Sequence, residues 1–217
     1  MPTPSDEQLE ADPAAAPPAR SNRWGWIGVA AAAAFLVGAL GYLAGVRLAE
    51  SPDELSDTDI GFLQDMIDHH DQAVELSLLQ LANGSDETAR DFAQETIIFQ
   101  RREIGIMETY LADGGANRGD VPRDVMGWMN MTTPLAEMDG MASPEQIAEL
   151  EAARGADADR LFLELMREHH RGGIHMAEWA AEFGSNERVK ELAGRIAEYQ
   201  RIEVKEYDLL MQKLGFA

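Results

Sequence analysis

A segment that recurs one hundred residues further along the same chain restricts the available folds more than any other feature. Placing residues 59–77 over 159–177 aligns Asp59 with Asp159, Phe62-Leu63 with Phe162-Leu163, Met66 with Met166, and His69-His70 with His169-His170. The same offset pairs Ala93 with Ala193, Gln100-Arg101 with Gln200-Arg201 and Glu103 with Glu203, with no gap required. A duplicated helical hairpin, its two copies packed about a pseudo-two-fold axis, satisfies this pattern.

Helical periodicity runs through the same region. One run starts near Asp57 and stops at Asn83-Gly84, and a second spans Ser85-Asp86 to Gly114-Gly115. After an irregular stretch, a third run goes from Asp157 to Gly184-Ser185 and a fourth from there to about Leu214. Ser143-Pro144-Glu145 reads as an N-cap with proline at the first helical position, opening a short helix to about Gly155. The expected fold is therefore all-α. It is a four-helix bundle over residues 55–214, with repeats 55–113 and 157–214 joined by a Met-rich connection, 114–156.

The first residues have a different character. Residues 2–22 hold five of the nine prolines and no apolar periodicity, which predicts a disordered tail over 1–23. From Trp24 to Val46 the chain runs 23 positions without a charge. A helix of that length is roughly 34 Å long, enough to cross a hydrocarbon core of about 30 Å. Trp24, Trp26 and Tyr42 lie near its ends, where amphipathic rings favour the interface. A cleaved signal peptide is the rival reading. The long leader and the Arg47 that spoils a small-residue cleavage pattern argue for an uncleaved transmembrane helix over 24–46. Arg20 and Arg23 precede the span, which predicts a single-pass anchor in the cell membrane, N-terminus cytoplasmic and C-terminal domain extracytoplasmic.

Composition excludes several functions. With 18 Lys+Arg against 39 Asp+Glu, a net charge of −21, a nucleic-acid-binding surface is not expected. The absence of cysteine removes disulfides, Cys-ligated zinc and thiol nucleophiles.

The repeat preserves more than packing residues. Phe62, Met66, His69, Ala73 and Leu76 follow the 4,3,4,3 spacing of a core-facing stripe, and His70 lies one turn beyond Met66. Met166, His169 and His170 repeat the arrangement, so four imidazoles and two thioethers are expected to point between the hairpins. Buried imidazoles need partners and repel when protonated; a metal ion resolves both problems. Histidines bonded to carboxylates or backbone are the structural alternative. Di-iron bundles use Glu-x-x-His, which is absent here, with Met66 and Met166 standing where the glutamate would. Thioether plus imidazole suits copper, Cu(I) or Cu(II), with zinc through the imidazoles as the alternative.

Around this motif stand weaker candidates. Five of the eleven methionines, Met126, Met129, Met131, Met138 and Met141, crowd the irregular segment 116–142, either as adaptable filler or for copper capture. Gln100 and Glu103, with their copies Gln200 and Glu203, are expected either to orient the histidines or to be ordinary helix polar residues. His175 is off the stripe of His169 by roughly 120° and takes a peripheral role.

The stretches FLQDMIDHHDQAVELS and FLELMREHHRGGIHMA resemble the signature of the bacterial domain-of-unknown-function family 305, known for CopM-like copper-binding proteins with a ferritin-like bundle. The likeness covers about residues 55–214. It implies extracytoplasmic metal handling, with Met66, His69, His70, Met166, His169 and His170 at the matching positions. Two departures stand out: Gly172-Gly173 follows the second His-His where Gly-Ala is usual, and His175 replaces a common glutamate.

The expected function is thus a membrane-anchored, extracytoplasmic copper-binding protein for tolerance, storage or delivery. The alternative is a non-catalytic accessory or structural subunit of a membrane complex, such as a respiratory oxidase assembly, or a homo-oligomer. With no Glu-x-x-His, nucleophile elbow or phosphate loop, an enzyme is the minor expectation.

Overall fold

The computed structural model describes residues 34–42, 54–120 and 123–216. Its contacts divide the chain into two units, Met1–Ser51 and Pro52–Ala217. In the first, residues 34–42 are helical, with Phe35, Leu36, Val37 and Leu40 exposed. The tail 1–23 and the remainder of the span 24–46 lie outside the described residues. Among the described residues no helix is long and apolar enough to cross a membrane.

The second unit is built on four long helices: α1 (Asp57–Asn83), α2 (Glu87–Asp113), α4 (Ala156–Phe183) and α5 (Glu187–Leu214), with a short α3 (Pro144–Ala152) before α4. The Ser143-Pro144 start read from the sequence opens α3, and the structure adds a like cap at Ser56 before α1. Ser56 and Ser143 each close a capping box, with Asp59 and Gln146 respectively, and Pro144 occupies the first turn of α3. α1 packs chiefly on α2 and α4 chiefly on α5; the hairpins meet along α1 and α4, whereas α2 and α5 touch little.

The repeats lock onto each other by exchanging caps. Asp59, at the start of α1, accepts hydrogen bonds from the Ser185 hydroxyl at 2.8 Å and from the Asn186 amide at 3.2 Å, at the start of α5. Asp159, at the start of α4, accepts from the Ser85 hydroxyl and the Asp86 amide, both at 2.9 Å, at the start of α2, and from the Gln80 side chain at 2.6 Å, in the last turn of α1. Each carboxylate therefore anchors the opening turn of the second helix of the other repeat, where free amide groups and the helix dipole favour negative charge.

The connection between hairpins is a strap with two short strands, β1 (Asp124–Val125) and β2 (Thr133–Pro134), paired antiparallel, and two 3-10 turns. Asp65 on α1 holds it, accepting from the Met126 amide and the Trp128 indole, both at 2.7 Å, and pairing with Arg123 at 2.8 Å. Gln72 grips Ala142, donating to its carbonyl at 3.0 Å and accepting from its amide at 2.6 Å.

At the repeat-equivalent position on α4, Gly172 lets the strap backbone sit against the helix. A Cβ there would lie 2.2 Å from the Asp139 carbonyl oxygen, and Gly140 turns with φ +81° over the same spot. In an open helix, Gly→Ala stabilises by about 1 kcal/mol. Here Gly172→Ala is expected instead to destabilise by about 1–3 kcal/mol, because the helix and strap backbones must separate. Urea unfolding checks the sign; a more stable variant would mean the strap is not seated there.

Two apolar clusters fill the interior. One joins the N-terminal half of α1, the C-terminal half of α2, the C-terminal half of α4 and the N-terminal half of α5 with the strap. The other joins the complementary halves with Leu150 of α3. The paired histidines of α1 and α4 fall between them.

Candidate metal centre

The stripe predicted on α1 is buried as a whole, and its copy on α4 likewise. His69, His70, His169 and His170 are all 0% exposed. The rings of His69 and His169 face each other across the hairpin interface, 3.7 Å between centroids and 36° between planes. The ring centroids of His70 and His170 lie 6.5 and 6.1 Å from those of their sequence neighbours. Four imidazoles from repeat-equivalent positions thus form one polar layer in an apolar interior.

The outer pair is oriented by carboxylates from the second helix of each hairpin. His70 Nε2–H donates to Glu103 at 2.8 Å, and His170 Nε2–H donates to Glu203 at 3.0 Å. A carboxylate can only accept, so Nε2 of each ring carries the proton and Nδ1 is the nitrogen left to face the interior. Both of those Nδ1 atoms are buried and unpartnered. A histidine held at one nitrogen by a carboxylate and open at the other is the arrangement that supports metal ligands.

The inner pair is more exposed to conflict. No ring nitrogen of His69 or His169 completes a hydrogen bond. The Asp139 carbonyl approaches His69, and the His69 carbonyl approaches His169, without satisfying either ring. Burial, reinforced by the neighbouring imidazoles, holds both pKa values well below the usual 6.5, so the stacked pair is neutral near pH 7. The unfolded chain takes up these protons more readily than the native one. Stability from the neutral pair is therefore complete above about pH 6.5 and lost as pH falls toward the depressed native values. Urea unfolding of the metal-free protein is expected to weaken by about 1.4 kcal/mol per pH unit for each ring below that point. A flat profile between pH 7 and 5 would contradict the burial.

Gln100 and Gln200 point inward, 4% and 3% exposed, beside the carboxylates. Gln200 packs over Gly173, where a Cβ would lie 2.4 Å from its carbonyl oxygen. Sequence reasoning passed over Tyr207. It is buried, its hydroxyl 3.5 Å from His170 Nε2 and its ring 5.4 Å from the imidazole. Burial, with Glu203 nearby, raises its pKa. Tyr207 continues the Gln200, Glu203 stripe by one further turn, which was the signal available. Its repeat counterpart is Met107, so the two halves of the layer differ.

The remaining candidates differ in burial. Met66 is fully buried in the cluster that holds the strap, and Met166 in the other. Met126 and Met129 are buried in the first cluster, whereas Met131 is 48% exposed. His175 is exposed and pairs with Asp139 at 2.7 Å.

Among the described residues no group of three or more His, Cys, Asp or Glu side chains is arranged to hold a metal ion. The inner rings lie against each other, 3.7 Å between centroids. The donor set nevertheless fits a borderline or soft ion: imidazoles with unpaired ring nitrogens, in a buried layer.

A family model, the domain of unknown function DUF305, matches residues 59–211. The chain belongs to the DUF305 family. Among solved structures it is similar to a DUF305 protein of Streptomyces coelicolor assigned as secreted, at 32% identity and TM-score 0.67, covering 76% of this chain and 96% of that one. A DUF305 fragment from Deinococcus radiodurans is 28% identical with TM-score 0.64, covering 76% and 99%. CopM in a Cu(I)-bound form is 22% identical with TM-score 0.53, covering 73% and 98%, a likeness of fold. CopM has also been solved with Cu(II) and with Ag. No curated protein matches the chain.

Proposed function

We propose that this DUF305 protein is a copper-binding protein, non-catalytic, whose ligands come from the layer formed by His69, His70, His169 and His170. The observation that carries the reading is the pair of buried, unpartnered Nδ1 atoms on His70 and His170, each imidazole fixed at Nε2 by a carboxylate. A helical protein needing only a packed core would fill these positions with apolar groups, since buried polar atoms without partners are destabilising. Copper bound there would be held by imidazole nitrogen, with Met66 and Met166 as thioether candidates that favour Cu(I). Zinc through imidazole alone is the competing occupant.

CopM, which shares the fold, binds copper and silver ions. The same proposal places the helical domain outside the cytoplasm, held by a bundle-preceding anchor at residues 24–46. The charge-free run there and the secreted assignment of the Streptomyces relative support it.

The test is metal retention. Purified protein incubated with copper and then exchanged into metal-free buffer is expected to keep copper at a fixed stoichiometry, above zinc under the same treatment. The variant with all four histidines replaced by alanine is expected to keep none. Copper retained equally by that variant would end the reading.

A further inference from the structure

Where α2 and α5 splay apart they leave a cleft of about 320 Å³ that opens outward from the histidine layer. Its lining includes Gln100 and Gln200, and three of their four side-chain amide atoms are buried without a partner: the Gln100 carbonyl and both polar atoms of Gln200. These buried amides form the floor beneath the cleft. Four carboxylates, Glu95, Glu103, Glu203 and Glu206, line the cleft against the single cation Arg102. The mouth is apolar: Phe99 and Tyr199, at repeat-equivalent positions, are 54% and 60% exposed, with Ile202 beside them. On α5 the exposed apolar row continues beyond the cleft to Leu209.

We propose that the α2–α5 cleft is the docking groove for a cationic, aliphatic polypeptide segment of a partner protein. Lysine or arginine side chains complement the carboxylates, and aliphatic side chains cover the Phe99–Tyr199 mouth. The apolar row is longer than the cavity, which suits a chain laid along the helices. A second copy of this chain does not suit it, because that copy would bring the same carboxylates and a net charge of −21. Docking also has a consequence inside. Glu103 and Glu203 hold the Nε2–H groups of His70 and His170. A cation paired with these carboxylates competes for them and loosens the orientation of both rings. The groove itself does not depend on copper; only this exchange touches the copper reading.

The test uses the metal-free full chain in a neutral detergent, with a short Lys/Val peptide as probe and its Glu/Val analogue as control. One equivalent of the Lys/Val peptide is expected to saturate binding, move the side-chain amide resonances of Gln100 and Gln200, and shift the ring nitrogen resonances of His70 and His170. Phe99→Ser with Tyr199→Ser is expected to weaken binding by about tenfold or more, as loss of aromatic anchors does. Both side chains are more than half exposed, so the fold survives, and the variant in the same micelles controls for detergent binding. Equal affinity for the double variant, equal binding of the Glu/Val peptide, or unmoved glutamine resonances would overturn the proposal, leaving diffuse charge attraction. Because no metal is present, none of these outcomes depends on whether the histidines bind copper.

Discussion

Replacing His69 and His169 together by leucine is expected to raise the melting temperature of the metal-free protein by about 5–10 °C and, in the same variant, to end copper retention. The two effects have opposite signs for stability and function, which is what makes the variant informative. Each ring is fully buried, and neither ring nitrogen completes a hydrogen bond. A buried polar group left in that state costs about 1–3 kcal/mol. Leucine has a similar volume, no polar atom, and apolar clusters on both sides to join. For a domain of this size each kcal/mol moves the midpoint by about 2–4 °C. Proteins commonly retain such destabilising groups where a function needs them. If the rings were structural, their removal would lower the midpoint and leave copper untouched; either finding would contradict the assignment. Differential scanning calorimetry of the metal-free protein reads the first effect, and elemental analysis after metal loading the second.

The second large effect concerns the exchanged caps. Asp159→Ala is expected to destabilise by about 3 kcal/mol, and Asp59→Ala by a similar amount. Asp159 gathers hydrogen bonds from Gln80, Ser85 and Asp86, and Asp59 from Ser56, Ser185 and Asn186. Each loss strands several buried donors at once, more than an ordinary cap replacement does. Burial alone would raise the pKa of Asp59, but hydrogen bonds from Ser56, Ser185 and Asn186 outweigh it and hold the carboxyl below its usual 3.8. Its contribution is therefore whole above that value and lost as pH falls through the lower native one. Urea unfolding at pH 7 measures both variants. A loss below about 0.5 kcal/mol, the range of an ordinary surface substitution, would show that the exchange does not hold the repeats together.

The hairpin repeat, the helix ends and the inward histidine stripe were all legible in the sequence, because each rests on local chemistry that repeats. Ser143 and Pro144 act within one helical turn, and the stripe from Phe62 to Leu76 needs only helical geometry to face inward. Gln100 was legible for the same reason. The path of the strap was not. Asp65, which anchors it, aligns with Leu165, so the repeat conceals it, and strands of two residues carry no periodicity. The methionine count of the strap told nothing about direction: Met126 and Met129 turn in, and Met131 turns out. Nor does an amphipathic pattern fix distance. The amphipathic patterns of α2 and α5 predicted membership of a four-helix bundle, but not that these two helices touch little and leave a cleft between them. The aligned aspartates 59 and 159 were visible as a repeat, but their crosswise use needs the three-dimensional arrangement.

The most direct test of the account is X-ray absorption at the copper edge on the loaded wild-type protein. The account predicts a nitrogen-dominated first shell with the multiple scattering of several imidazole rings. A shell of oxygen, or of sulfur with no imidazole scattering, would place the copper elsewhere and contradict the assignment of His69, His70, His169 and His170.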